Sequence, residues 1–181
     1  MAVTFLAMIR GFRIPDGIFC HYPALQLDPL RFYPSHLLAI DEELINQSFL
    51  QFALACFTRN GGNPDKSCIL SPMQAPDAML RLLPPCKFMM AENDCLRDHS
   101  IEMGMRMLKL GKYCKLILMR DFIHGFHNFD TNFMGIDEYR RGTYTTIEHF
   151  TSLFNYIAML KDREEQSLQR KITQVSFDSQ K

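Results

Sequence analysis

Residues 86 to 119 hold the pattern that most restricts the fold. An apolar run, Cys86-Lys87-Phe88-Met89-Met90-Ala91, is followed by a helix expected from Asp98 to Leu110 with Gly111 as its stop. A second apolar run, Lys115-Leu116-Ile117-Leu118-Met119, comes next. Short apolar runs bounded by turn signals are buried strands, and two joined by one helix pack as parallel neighbours through a right-handed crossover. A third run, Ile18 to Tyr22, lies between the turn at Arg13–Gly17 and Pro23. Helical segments alternate with these runs. Ala2–Arg10 ends at Gly11, and a helix is expected from Asp41 to about Arg59, ended by Gly61-Gly62. Leu25 to His36 reads as irregular and Ala78–Leu83 as a helical turn. The Thr145-x-x-Glu148 capping box opens a last helix with Ile147, Phe150, Phe154, Ile157 and Leu160 on one stripe. The expectation is an α/β chain of parallel strands flanked by helices. It has one domain over 1–160 and a charged tail, 161–181, that frays or is disordered. The first helix has no strand before it, so the alternation opens part-way through.

Composition removes several function classes. The 181 residues suffice for one domain or a piece of a larger one. Twenty Lys and Arg against 20 Asp and Glu leave no basic footprint for nucleic acid and no polybasic surface for anionic membranes. At 47% hydrophobic residues the chain is not of disordered composition. Six scattered cysteines without a C-x-x-C pair read as reduced, mostly buried thiols, which places the expectation in the cytoplasm. Met1–Ile9 is apolar but has no basic segment before it, and Arg10 closes it too soon for a signal peptide or a membrane span.

The chemistry gathers after the two central runs. Asp94 follows Cys86–Ala91, and His124, thirty residues later, follows Lys115–Met119. Ligands collect at the carboxyl ends of parallel strands, and adjacent strands lie ~5 Å apart, so the two loops can join a carboxylate to an imidazole. Such a pair fixes the histidine tautomer and stabilises the imidazolium of a general base. A structural ion pair and two solvated loop residues remain open as readings. His124-x-x-His127 has no third ligand at matching spacing, so no metal is expected. Ser71 and Cys95 are poor nucleophiles, one in a turn before proline and the other beside a carboxylate that opposes thiolate formation. Met103, Met105 and Met107 read as packing residues. Phe122, Ile123, Phe126, Phe129, Phe133 and Met134 form either an acyl-pocket wall or a packing layer around His124.

Four ordered segments carry a resemblance. They are Ile14-Pro15-Asp16-Gly17-Ile18 through Tyr22-Pro23-Ala24; Leu70-Ser71-Pro72 with Ala75-Pro76-Asp77; Leu83-Pro84-Pro85; and Asp94-x-Leu96-x-Asp98 with His124-Gly125-Phe126. Over roughly residues 2–135 the chain resembles the hormone-sensitive-lipase-like branch of the α/β-hydrolases. The resemblance implies the C-terminal part of that fold, with Asp94 as triad acid and His124 as triad base. It implies hydrolysis of acylglycerols, sterol esters or shorter lipid esters through a serine acyl-enzyme without a cofactor. Tyr22 and Phe126 become candidate substrate contacts, and association with lipid-droplet surfaces is implied. The family's G-x-S-x-G elbow and H-G-G-G segment do not occur in these 181 residues, and Cys95 stands where the family usually has proline. The elbow is therefore expected shortly before Met1, and the chain alone is expected to be inactive. The alternative is a truncated, non-catalytic product that acts through interactions.

Overall fold

The computed structural model describes residues 1–28, 30–40, 45–58, 63–130 and 137–178. Three parallel strands, β1 (Ile18–His21), β2 (Cys86–Asn93) and β3 (Cys114–Ile123), form a sheet in the order β1-β2-β3. The helices are α1 (Ala2–Arg10), α2 (Gln47–Thr58), α3 (Asp77–Arg81), α4 (Arg97–Lys109) and α5 (Asp137–Asp178). Short 3₁₀ turns occupy Pro34–Ile40, Pro72–Gln74 and Phe126–Phe129.

β2 is the middle strand, and its first six residues are buried, as a strand covered on both faces must be. One side packs Phe88, Met103 and Met107 with Phe5 and Leu80; the other packs Met89, Ala91, Ile117 and Met119 with Phe122 and Phe126. Met103 and Met107 are fully buried while Met105 is exposed, as their spacing on α4 requires. Lys87 is buried inside β2. Its Nζ donates to the His149 carbonyl at 2.7 Å and to Ser152 Oγ, tying α5 to the sheet.

Several boundaries differ from the sequence reading for local reasons. The starting residue Asp41 and the stop Gly61-Gly62 lie outside the described residues. α2 itself begins at Gln47, because Asn46 Oδ1 accepts the Phe49 N–H at 2.9 Å and so caps the helix. α4 begins at Arg97, one residue before the expected cap; the Asp98 carboxylate instead accepts the Ser35 N–H at 2.8 Å. Both central strands run on past their expected ends.

α5 differs most. It starts at Asp137, so Thr145 lies inside it and its hydroxyl donates to the Arg141 carbonyl four residues back, at 2.8 Å. The expected apolar stripe supplies only part of the buried face: Ile147, Phe150 and Phe154 are largely exposed, Ile157 and Leu160 are half-buried, and Leu153, outside the stripe, is buried. Gly142 marks the seam: a Cβ there would stand 2.5 Å from Phe126 Cε2. The helix also continues through 161–178, where a fraying tail was expected. Lys, Arg, Glu, Gln and Leu, which favour helix, fill most of 161–171, and the side chains there are exposed.

Candidate active site

The register of β2 and β3 sets the distance between the two candidate catalytic residues. Pairing runs from Cys86↔Cys114 to Ala91↔Met119, shifts at an irregularity, and resumes at Asn93↔Ile123. Asp94 and His124 are the next residue of each strand, so they leave the sheet side by side. At the irregularity Asp121 has φ 65°, and its N–H donates to Glu92 Oε2 at 2.9 Å, which fastens the end of β3 to β2. Gly125, at φ 71°, turns the chain directly after His124, a conformation that glycine adopts without cost.

His124 Nδ1 stands 2.9 Å from Asp94 Oδ2. The carboxylate is fully buried, and its Oδ1 accepts the Leu96 N–H at 2.8 Å. Arg97 holds the same loop from the other side, donating to the Glu92 carbonyl at 2.9 Å and to Asp98 Oδ1 at 3.2 Å. With Nδ1–H given to Asp94, Nε2 is the nitrogen that can take a proton, on a side chain 21% exposed. The arrangement can therefore orient a neutral imidazole and stabilise it once protonated.

Tyr22, the residue after β1, is in a strained conformation, φ 34°, held by its N–H donating to the Met89 carbonyl at 2.7 Å. Its ring lies 4.7 Å from the His124 ring and 5.5 Å from that of Phe126. Burial, and secondarily the Asp94 charge, raise the Tyr22 phenol above its usual range and keep it neutral. Phe126 is fully buried against Phe122, Tyr22 and His127, so it supports the histidine loop from below and offers no surface of its own. Phe133 and Met134 lie outside the described residues.

His127 is tied to α5. Its Nε2 pairs with Thr146 Oγ1 at 2.7 Å, while Thr146 donates to the Gly142 carbonyl, so the hydroxyl accepts from the ring. The His21 ring stacks on His127 at 4.6 Å. Ser71 is buried with Oγ accepting the Leu27 N–H at 3.0 Å, and Cys95 is buried. The sequence reading missed Glu92, Arg97, His21 and Thr146 as supports. Only Glu92 and Arg97, flanking Asp94, carried a signal in their proximity.

Two histidines make the fold sensitive to acid. Burial lowers His99 to about 4, and burial with the neighbouring His127 lowers His21 to about 4. Unfolded histidine binds a proton near pH 6.5, so the unfolded chain takes up protons first and stability falls as pH drops from about 6.5 toward 4. The slope is up to about 1.4 kcal/mol per pH unit for His99 and less for the partly exposed His21. Urea midpoints should be flat from pH 8 to 7 and fall between pH 6.5 and 5. A midpoint unchanged over that interval would contradict the neutral buried state.

This sheet and its paired loops define a class. The chain belongs to the α/β-hydrolase fold family, whose sequence profile matches residues 1–128. Among individual proteins it is similar to hormone-sensitive lipase of Homo sapiens, 36% identical over 61 residues, which are 34% of this chain and 6% of the lipase. Carboxyl esterase 2 of the mycorrhizal fungus Tuber melanosporum superposes with TM-score 0.67 at 25% identity, over 82% of this chain and 46% of the esterase. Brefeldin A esterase, a bacterial homologue of human hormone-sensitive lipase, superposes with TM-score 0.67 at 23% identity, over 82% of this chain and 42% of that protein. The chain spans less than half the length of either solved esterase. No helix among the described residues is long and apolar enough to cross a membrane.

Proposed function

We propose that these residues supply the acid and base of a carboxylic-ester hydrolase of the hormone-sensitive-lipase type, whose serine nucleophile lies outside the 181 residues. The observation that carries the reading is the 2.9 Å contact between His124 Nδ1 and the buried Asp94 carboxylate at neighbouring strand ends. His124 Nε2 takes the serine proton as the oxygen attacks the ester carbonyl. It then returns that proton to the leaving alkoxide as the tetrahedral intermediate collapses to the acyl-enzyme. Water repeats the cycle and releases the acid. Asp94 stabilises the imidazolium in both halves. Lipid esters such as acylglycerols or sterol esters are the favoured substrates, supported by an apolar cavity of about 510 Å³ between α2 and β1. Action in the cytoplasm or at a lipid-droplet surface belongs to the same proposal.

A second feature favours a partner for the sheet. Among the described residues β1 pairs only with β2, and an apolar edge strand recruits another segment. The test is hydrolysis of p-nitrophenyl butyrate by the 181-residue chain, alone and joined to a segment bearing G-x-S-x-G, with circular dichroism of each sample. The expected result is turnover only with the serine-bearing segment. Turnover by the chain alone, lost in His124→Ala, would overturn the assignment of the nucleophile.

A further inference from the structure

The chain leaves β1 through a residue whose backbone is in an unfavourable conformation. The φ of Tyr22, 34°, lies in the left-handed region that aromatic residues rarely adopt, and Pro23 follows, which favours an extended backbone at the residue before it. Such strain persists only where surrounding contacts over-determine it, and it collects at functional sites. Here the Tyr22 N–H donates to the Met89 carbonyl at 2.7 Å, and the ring meets Phe126 edge-on at 5.5 Å.

The strain changes the face of the sheet on which the ring lies. Side chains alternate along a strand, so Ile18 and Cys20 pack with Phe88 and Met103 while Phe19 packs with Met89 and Ile117 on the other side. An extended Tyr22 would follow Ile18 and Cys20. The left-handed turn sends it to the side of Phe19, where its ring stands 4.7 Å from the His124 ring at an interplanar angle of 59°. His124 gains from such a neighbour. Its attachment at Cβ and its 2.9 Å contact with Asp94 leave the imidazole free to pivot about the line between them. A contact off that line settles where Nε2 points, and the direction of the base is what proton transfer depends on.

We propose that Tyr22 is a positioning residue, whose ring, carried across the sheet by the strained turn, is the second contact that aims His124 Nε2. The inference rests on His124 being the base of the proposed hydrolase. It assigns Tyr22 an action through the imidazole in place of a contact with substrate. The test uses Tyr22→Phe, Tyr22→Leu, Tyr22→Ala and Tyr22→Gly in protein that also carries the nucleophilic serine, with p-nitrophenyl butyrate. Tyr22→Phe keeps the ring and should keep kcat within about twofold, while Tyr22→Leu should lower kcat about tenfold or more with KM within about twofold. Tyr22→Gly relieves the backbone strain, so it should melt at higher urea than Tyr22→Ala and yet be as slow. In a His124→Ala background Tyr22→Leu should cause no further loss, because a residue that acts through the imidazole has nothing left to aim. The activity-independent reading is nuclear magnetic resonance of the 181-residue chain with isotope-labelled histidines. Tyr22→Leu should speed exchange of the His124 Nδ1 proton with water, and Tyr22→Phe should not. A severalfold rise in KM with a loss that persists in His124→Ala would make Tyr22 a substrate contact. Tyr22→Phe as slow as Tyr22→Leu would place the effect in the hydroxyl. An Nδ1 proton unaffected by Tyr22→Leu would leave the ring no part in holding the imidazole. Each of these overturns the proposal. Turnover that survives His124→Ala overturns instead the assignment of the base, so the two failures are told apart.

Discussion

His124→Ala is expected to lower ester hydrolysis by roughly four orders of magnitude in a protein that also carries the nucleophilic serine, with circular dichroism unchanged. The base is then gone, and what remains is binding and whatever stabilises the oxyanion. The ring is partly exposed at the end of β3, so its removal opens no large cavity. Asp94 should behave differently because it serves two partners. Asp94→Asn keeps an acceptor for the Leu96 N–H but removes the charge opposite the imidazolium, so kcat should fall about 10³–10⁴-fold with a small change in stability. Asp94→Ala also orphans the Leu96 N–H, adding ~1–3 kcal/mol of destabilisation. A structural ion pair predicts the reverse ordering, with stability lost in His124→Ala and turnover retained. Parallel urea melts and initial rates with p-nitrophenyl butyrate separate the two.

The juxtaposition behind that prediction was legible because it is nearly local. Two apolar runs with one helix between them force parallel neighbours, and Asp94 and His124 each follow a run directly. What escaped reading depends on competition between distant groups. Thr145 matches a capping box by spacing, but its hydroxyl bonds a carbonyl within its own helix, so α5 starts eight residues earlier. The stripe Ile147, Phe150, Phe154 has helical period, yet the buried face of α5 is chosen elsewhere. Gly142 admits Phe126, Thr146 meets His127, and Lys87 reaches the His149 carbonyl. A lysine inside an apolar run gave no hint that its ammonium would be the tie. His36 and His99 are far apart in sequence and meet only because the Ser35 hydroxyl donates to the Cys95 carbonyl while the Asp98 carboxylate accepts the Ser35 N–H. No periodicity encodes such a contact.

Phe126→Ala is expected to cost ~3–5 kcal/mol, the usual penalty for deleting a buried aromatic ring. The ring is fully buried, stacked on His127 at 4.2 Å and edge-on to Phe122 at 4.8 Å, and Gly142 of α5 sits directly on it. That packing joins three elements, so little of the space can collapse, and a value in the upper half of the range is expected. The functional consequence follows from position. Phe126 lies two residues after His124 and under Tyr22, whose ring borders the imidazole. Loss of the support lets His124 wander from its 2.9 Å contact, so kcat should fall at least tenfold while KM stays within about twofold, since a misaligned base affects the transition state and not substrate binding. Phe126→Leu keeps most of the volume and should recover most of the stability and rate. If Phe126 instead touches substrate, as the sequence alone allowed, Phe126→Leu should raise KM severalfold with the urea midpoint nearly unchanged. The ratio of the KM change to the midpoint change, measured on one sample of each variant, therefore decides between a wall of the acyl pocket and a support of the catalytic loop; the burial of the ring favours the support.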